Sequence, residues 1–420
     1  MIKEGIKEKV PAKTFMLISG PSSFKLISGK ISAIGAPILE GKKVIIQKGK
    51  QLPLETLKDS LIEFCFGIGA ECLRLEKNAI PESWNEAVEK ILGMKNPKVI
   101  VIGDVDSGKS TFCTYLINKT IDKGINPIII DADIGQSDLG PPTTIGLGIA
   151  KEYALSLSSL NIEKLLFIGY TSPSLVKEKV INGIKKLIEI VHEQKAPIII
   201  NTDGWIMGEE AISYKIKMLS EISPDIVIGM AKDDELNQII NSRKENSIVI
   251  KVPEIVKKRS KEERKMFREQ KYWNYLKNAQ SFWLKVDELE VHGLDLKEGR
   301  ILSKEELKEF SKTLSLNVLY GEDLGKTINL WVDKIPSSKL LENFECLIKE
   351  RKINVISVSE KRNLILGLLD KDGFLKGIGI LRGIDFKKRA LKIYAPYFSE
   401  IKKIDAGKVK LSKNGKELTH

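Results

Sequence analysis

Apolar positions in this chain follow two different rhythms, and the change between them divides it into three segments. Over the first eighty residues short apolar stretches fall at 14–18, 24–28, 30–34, 43–47, 61–66 and 71–75, punctuated by Gly20, Pro21, Gly29, Gly35, Pro37 and Gly49. That spacing predicts a small antiparallel β domain. Pro81, Glu82, Ser83 and Trp84 then open a helix in which Trp84, Val88, Ile91 and Leu92 form one apolar stripe, closed by Gly93. This helix is expected to bridge two domains.

From Lys98 the rhythm changes to apolar runs at 99–102, 127–130, 164–168, 197–200 and 226–228, separated by amphipathic helical stretches. Such runs are what a mostly parallel sheet covered on both faces requires. After about residue 282 short strands return at 328–331, 354–358, 364–368, 391–394 and 408–411, with turns at Asp372-Gly373 and Asn414-Gly415. The expected fold class is α/β: a β domain with its bridging helix at 1–94, a central P-loop domain with a mostly parallel sheet at 95–282, and a second small β domain at 283–420.

Composition adds limits to this picture. A chain of 420 residues has room for two or three domains, each with its own apolar interior. Hydrophobic residues at 42% and charged residues at 30% describe a soluble protein, and no apolar run is long enough for a membrane helix. The N-terminal residues lack a secretory pattern, so a cytoplasmic location without a membrane partner is expected. Cys65, Cys72, Cys113 and Cys346 have no paired metal or redox spacing and read as buried small hydrophobes. His192, His292 and His420 lie too far apart in sequence for an obvious metal cluster. Lys and Arg exceed Asp and Glu by 68 to 56, a net +12. That balance favours a polyanionic partner, although Lys and Glu enrichment also suits a heat-stable surface.

The strongest chemical signal follows the apolar run at 99–102, where Gly103-Asp104-Val105-Asp106-Ser107-Gly108-Lys109-Ser110-Thr111 leads into a helical pattern. This is GxxxxGK[ST] in its strand-loop-helix context. Its backbone amides converge on phosphate oxygens, Lys109 reaches the β and γ phosphates, and Ser110 is the Mg²⁺ ligand by motif position. The second run of the segment ends in Asp131-Ala132-Asp133-Ile134-Gly135-Gln136, where an α/β sheet presents groups to its ligand crevice. Asp131 and Asp133 can hold Mg²⁺ or its waters and accept a proton, and they point the same way if the strand persists. A third feature lies in the charge run 257–271, where Ser260 and Glu263 have capping-box spacing. Arg264 and Arg268 then share one helix face, with Arg259 before the cap. Guanidinium groups on such a helix can close over a triphosphate, an effect of about 10³–10⁵ in rate for arginine fingers.

Taken together, Gly103-x-x-Asp106-x-Gly108-Lys109-Ser110, Asp131-x-Asp133-x-Gly135-Gln136, Thr171-Ser172-Pro173 and Asn201-Thr202-x-Gly204-Trp205 resemble one family. It is the polynucleotide 5′-hydroxyl kinase family, which includes the kinase-like subunit of the eukaryotic pre-mRNA cleavage factor, nucleolar rRNA-processing kinases and archaeal homologues. The basic pattern Arg259-x4-Arg264-x3-Arg268 is similar to that family's lid, here at about 257–276. The resemblance implies a central kinase domain between two β domains. It also implies Mg²⁺-dependent transfer of the ATP γ-phosphoryl group to the 5′-hydroxyl of RNA or single-stranded DNA, with GTP or another triphosphate as an open alternative. By the same resemblance Asp133 activates the hydroxyl, Gln136 positions substrate or a metal water, and Thr171 and Trp205 clasp the terminal nucleotide. Arg259 is assigned to substrate and Arg264 and Arg268 to catalysis.

Two other readings share the phosphate loop: an ATP-bound scaffold of an RNA-processing assembly with RNA-processing proteins as partners, and a nucleotide-driven switch or small-molecule ligase.

Overall fold

The computed structural model describes residues 3–255, 258–296, 299–333, 351–396 and 398–418. The chain forms two compact units, one holding residues up to 140, 145–164 and 172–260, the other 141–144, 165–171 and the chain from 261 onward.

In the first unit the alternating pattern near the N-terminus folds as two antiparallel sheets. One has four strands in the order Lys3–Val10, Ser60–Phe66, Ser22–Ser28 and Lys43–Ile46. The other has five, ordered Ala36–Ile38, Ile31–Ala33, Gln51–Thr56, Phe15–Ser19 and Cys72–Leu75. Period-two patterning places Leu52 and Leu54 inward while their neighbours are half-exposed.

The expected bridging helix, Glu82–Leu92, does more than connect. Trp84 is 1% exposed, its indole N–H donates to the Lys251 carbonyl at 3.0 Å, and its ring meets Phe112 edge-on at 5.3 Å. One apolar core therefore runs from Phe24, Leu26 and Phe64 through Trp84 and Phe112 to Val99 and Val101.

The central sheet has seven strands, ordered Ile162–Phe167, Thr144–Ile149, Ile128–Ala132, Ile198–Thr202, Lys98–Gly103, Ile226–Ala231 and Ser247–Lys251. Pairing is parallel through the strands from Ile128 to Lys251, and Thr144–Ile149 runs antiparallel to Ile128–Ala132. Two of these strands carry weak signals in sequence. Thr144–Ile149 contains Gly146 and Gly148, and a side chain at 148 would meet the Asn161 carbonyl at 2.9 Å. Ser247–Lys251 is an edge strand with polar ends.

The second unit contains a six-stranded sheet, ordered Gln280–Lys285, Ala390–Ala395, Leu375–Asp385, Leu364–Leu369, Lys403–Lys410 and Glu290–His292. A four-stranded sheet joins Arg300–Ile301, Val318–Asp323, Thr327–Val332 and Lys352–Ser357, its last pair parallel. The Arg-rich helix is Lys261–Leu276, and it clusters with these sheets instead of with the P-loop sheet. The reason is its last turns, where Tyr272 and Leu276 pack fully buried against Ile365, Ile378 and Leu411. The long C-terminal stretch of the second unit thus begins at Lys261.

Among the described cysteines Cys113 is buried, and Cys65 and Cys72 are half-buried because each sits near the end of its strand; Cys346, like His420, lies outside the described residues. No helix among the described residues is long and apolar enough to cross a membrane.

Trp84→Ala removes both the aromatic contact and the bond to Lys251. It should cost about 3–5 kcal/mol, read as an earlier denaturant midpoint for the first unit. An unchanged midpoint would show that the N-terminal sheets and the P-loop sheet do not share a core.

Candidate active site

The strand Lys98–Gly103 delivers the chain to a loop that its own glycines shape. A Cβ at Gly103 would lie 2.7 Å from the Met230 carbonyl oxygen, and Gly108 holds φ +100° as the cap of the helix Lys109–Ile121. Lys109 is buried, its ammonium donating to the carbonyls of Gly103 at 2.9 Å and Asp104 at 2.7 Å. Burial pushes its pKa down while the nearby Asp133 carboxylate opposes that shift. The Ser107 hydroxyl oxygen is buried with no hydrogen-bond partner, an orphan that a phosphate oxygen would satisfy.

Asp106, at φ 58°, turns its carboxylate out of the loop onto Arg259. The Arg259 backbone N–H donates to Oδ2 at 2.9 Å and its Nε to Oδ1 at 2.8 Å, with Nη2 also on Oδ1. In this arrangement Arg259 braces the phosphate loop.

Parallel register places Asp131 opposite Asn201 and Asn201 opposite Val101, so three strand ends meet beside the loop. The Asn201 side-chain amide donates to Asp131 Oδ1 at 2.9 Å and to Ser110 Oγ at 3.2 Å. Asp131 is fully buried, and its Oδ2 accepts the backbone N–H groups of Asp138 at 2.6 Å and Leu139 at 3.1 Å. Both of its oxygens are therefore engaged by protein donors; it fastens the following loop, and burial raises its pKa.

The strand ends at Ala132, so the alternation that would align Asp133 with Asp131 does not reach Asp133. Asp133 instead caps a turn, its Oδ1 accepting the N–H groups of Gly135 at 3.2 Å and Gln136 at 2.9 Å. Burial pushes its pKa up to about 6, against the pull of the Lys109 ammonium. The Gln136 amide donates to the Gly135 carbonyl at 3.0 Å.

Trp205 stands on the turn after Ile198–Thr202. Its N–H donates to Asp203 Oδ1 at 3.0 Å, and its half-buried ring lies 5.8 Å from that of Tyr214 and 5.5 Å from the Lys177 ammonium. Gly204 presses on the phosphate loop, since a Cβ there would be 2.6 Å from the Val105 backbone nitrogen. The structure thus brings together Lys109, Ser110, Asp131, Asp133, Gln136, Trp205 and Arg259.

Thr171, Arg264 and Arg268 belong to the second unit. There Arg268 makes a two-pronged bond to Glu417, Nε to Oε1 at 2.6 Å and Nη2 to Oε2 at 2.8 Å. A cavity of about 200 Å³ opens at the start of the phosphate-loop helix, walled by Ser110, Thr111 and Thr114 on one side and by Ile46, Leu52 and Leu157 on others.

A family model described as the mRNA cleavage and polyadenylation factor CLP1 P-loop matches residues 103–278. The polyribonucleotide 5′-hydroxyl-kinase of Pyrococcus horikoshii is 31% identical over 344 residues, covering 81% of this chain and 93% of that protein. The chain belongs to the polyribonucleotide 5′-hydroxyl-kinase family.

The family member of Methanocaldococcus jannaschii is also 31% identical, over 81% of this chain and 94% of its own length. A CLP1 homolog of Nematostella vectensis is 24% identical over 61% of this chain and 64% of that protein. A solved Clp1p–Pcf11p complex shares the fold, with a TM-score of 0.64 at 12% identity, covering 97% of this chain and 99% of that one.

Two residues beside the phosphate loop and the Trp205 turn had no assigned role from sequence. Asn201 stood within the motif, yet its bridging of Asp131 and Ser110 depends on strand register. Lys215 is wholly buried on the helix Glu209–Ile222, one turn from Ala211 and from Leu219 along its apolar face. A lysine at a core position of an amphipathic helix was the available signal.

The raised pKa of Asp133 carries a stability cost. The folded state holds its proton from the ordinary carboxylate range up to about pH 6, so stability falls as pH rises through that window. Asp133→Asn should therefore stabilise the nucleotide-free protein above pH 6, by on the order of 1–2 kcal/mol once the partial exposure of the group is allowed for. The gain should shrink toward pH 4. Thermal melts of both proteins at pH 4.5 and 7.5 test this; an equal difference at the two values would refute it.

Proposed function

We propose that this protein transfers the γ-phosphoryl group of ATP to the 5′-hydroxyl end of RNA, with single-stranded DNA as a second acceptor. The observation that carries the reading is the placement of one partly exposed carboxylate, Asp133, in the field of Lys109 and on the edge that also carries Trp205. Phosphoryl transfer asks for positioning and charge neutralisation more than covalent help.

The loop amides and the Ser107 hydroxyl hold phosphate oxygens, and Lys109 exchanges its bonds to the Gly103 and Asp104 carbonyls for the β and γ phosphates. The nucleoside leaves the loop past Thr111, where the adjoining cavity gives it an apolar wall. Mg²⁺, when bound, neutralises the β and γ oxygens, and Ser110 beside Asp131 offers it an oxygen ligand. Because the Asp131 oxygens already accept protein hydrogens, Asp131 orients this corner through Asn201 instead of serving as the main ligand.

Asp133 takes the proton of the attacking hydroxyl, and at neutral pH a group with a pKa of about 6 is ionised and ready to do so. Trp205 stacks on the terminal base without reading its identity, which suits a kinase that accepts any end. Gln136, on the turn that Asp133 caps, completes the acceptor side. The architecture we propose is a kinase domain at 95–282 between β domains at 1–94 and 283–420.

The scaffold alternative draws on one observation: Arg259 and Arg268 are both engaged by carboxylates, Asp106 and Glu417. In that reading ATP is held without transfer, and RNA-processing proteins are the partners. A solved Clp1p structure concerns loss of ATP in a point mutant, which makes nucleotide retention a property to measure alongside turnover.

A transfer assay with matched RNA and DNA oligonucleotides and all four labelled triphosphates decides between them. Label should appear on 5′-hydroxyl ends and vanish in Lys109→Ala; retained nucleotide with no transfer to any end would favour the scaffold. Trp205→Ala should raise the oligonucleotide KM by about 5- to 150-fold, the worth of one stacked base, and leave the ATP KM within about twofold. Equal loss on both substrates would remove Trp205 from the acceptor site.

A further inference from the structure

Beneath the Trp205 turn lies a buried ionic cluster that the phosphoryl-transfer mechanism does not use. Lys215 is fully buried, and its ammonium donates to the Asp203 backbone carbonyl at 3.0 Å while standing 3.0 Å from Asp203 Oδ2. The Tyr214 hydroxyl donates to the same Oδ2 at 3.1 Å. The other carboxylate oxygen, Oδ1, accepts the backbone N–H of Trp205. Lys215 and Tyr214 thus converge on one carboxylate, and that carboxylate holds the residue that presents the indole.

The surroundings make this cluster costly and rigid. Lys215 lies on a helix face that otherwise buries Ala211, Tyr214, Met218, Leu219 and Ile222, so an apolar side chain would continue the stripe. Replacing a buried ion pair with packed apolar groups is commonly neutral or stabilising, which makes stability a poor reason for a lysine here. What the charge does supply is direction. Gly204 sits against the Val105 backbone, so the turn is fixed to the phosphate loop on one side and to Asp203 on the other. The Asp203 charge also helps to raise the pKa of Asp133, after burial and Asp131.

We propose that Lys215 is a positioning residue of the acceptor site, holding Asp203 and through it the Trp205 indole at a fixed height above the phosphate loop. The inference rests on the kinase reading for its substrate, a 5′-hydroxyl oligonucleotide. Lys215 itself touches neither substrate nor nucleotide.

The test compares Lys215→Met in two backgrounds, with and without Trp205. Affinity is measured by anisotropy of a 3′-labelled 5′-hydroxyl oligonucleotide on the full chain, with KM and kcat from the transfer assay alongside. With Trp205 present, Lys215→Met should weaken oligonucleotide binding about tenfold, the size of one charge-assisted hydrogen bond. In a Trp205→Ala background the same change should alter it by less than about threefold, because its route of action is already gone. The Trp205 contribution to the emission spectrum, taken as the difference from the Trp205→Ala partner, should shift in Lys215→Met.

If Lys215→Met does not fold, Tyr214→Phe removes a single donor to Asp203, and it should weaken binding about threefold, again only where Trp205 is present. Equal factors in both backgrounds, or no loss in either, overturn the proposal. Failure of the kinase reading shows differently: the natural chain binds the oligonucleotide and transfers nothing, and the affinity comparison still decides the role of Lys215. A natural chain that binds no oligonucleotide overturns both.

Discussion

The hydrogen bonds of the Asn201 amide hold the centre of this protein together. They exist because the strands Ile128–Ala132, Ile198–Thr202 and Lys98–Gly103 pair in parallel and in register, bringing Asp131, Asn201 and Val101 level. One short side chain then joins the loop after Ala132, which Asp131 fastens, to the start of the phosphate-loop helix, through Ser110. A slip of one residue in either pairing would turn every side chain of that strand to the opposite face and separate donor from acceptor.

Around that join the protein keeps charges where burial opposes them. Lys109 is pushed toward its neutral form, and Asp131 and Asp133 toward theirs. Each is held by backbone groups: Lys109 by the carbonyls of Gly103 and Asp104, Asp131 by N–H groups of the following loop, Asp133 by those of Gly135 and Gln136. The dipoles that hold Asp131 and Asp133 are fixed by the loop and need little reorganisation when a triphosphate arrives, which is the form in which a site stores electrostatic work. The same burial makes the ionised form of Asp133 costly to the folded protein.

The phosphate loop was legible in the sequence because its requirement is local: glycines where the backbone must approach an anion, a lysine and a hydroxyl at set spacing. The motifs singled out Asp133 and Trp205, but not the turns on which each sits. Other parts depend on contacts that no local pattern records. Arg259 and Asp106 are 153 residues apart, and Arg268 and Glu417 are 149 apart, so arginines that read as a lid are found bracing a loop and a terminal turn. Lys215 drew no attention in the sequence because periodicity ranks residue types and does not see a buried partner. Thr144–Ile149 escaped notice because its glycines, needed for close backbone approach, lower its strand character.

The single core that runs from Phe24 through Trp84 to Val101 also governs how such a protein can diverge. Interchangeable modules need an interface that can be parted without exposing apolar interior, and here the N-terminal sheets supply part of the packing behind the nucleotide loop. Exchange of that region between relatives would have to carry the Trp84 helix and the Phe112 face with it, so the N-terminal sheets and the catalytic sheet are bound to change together.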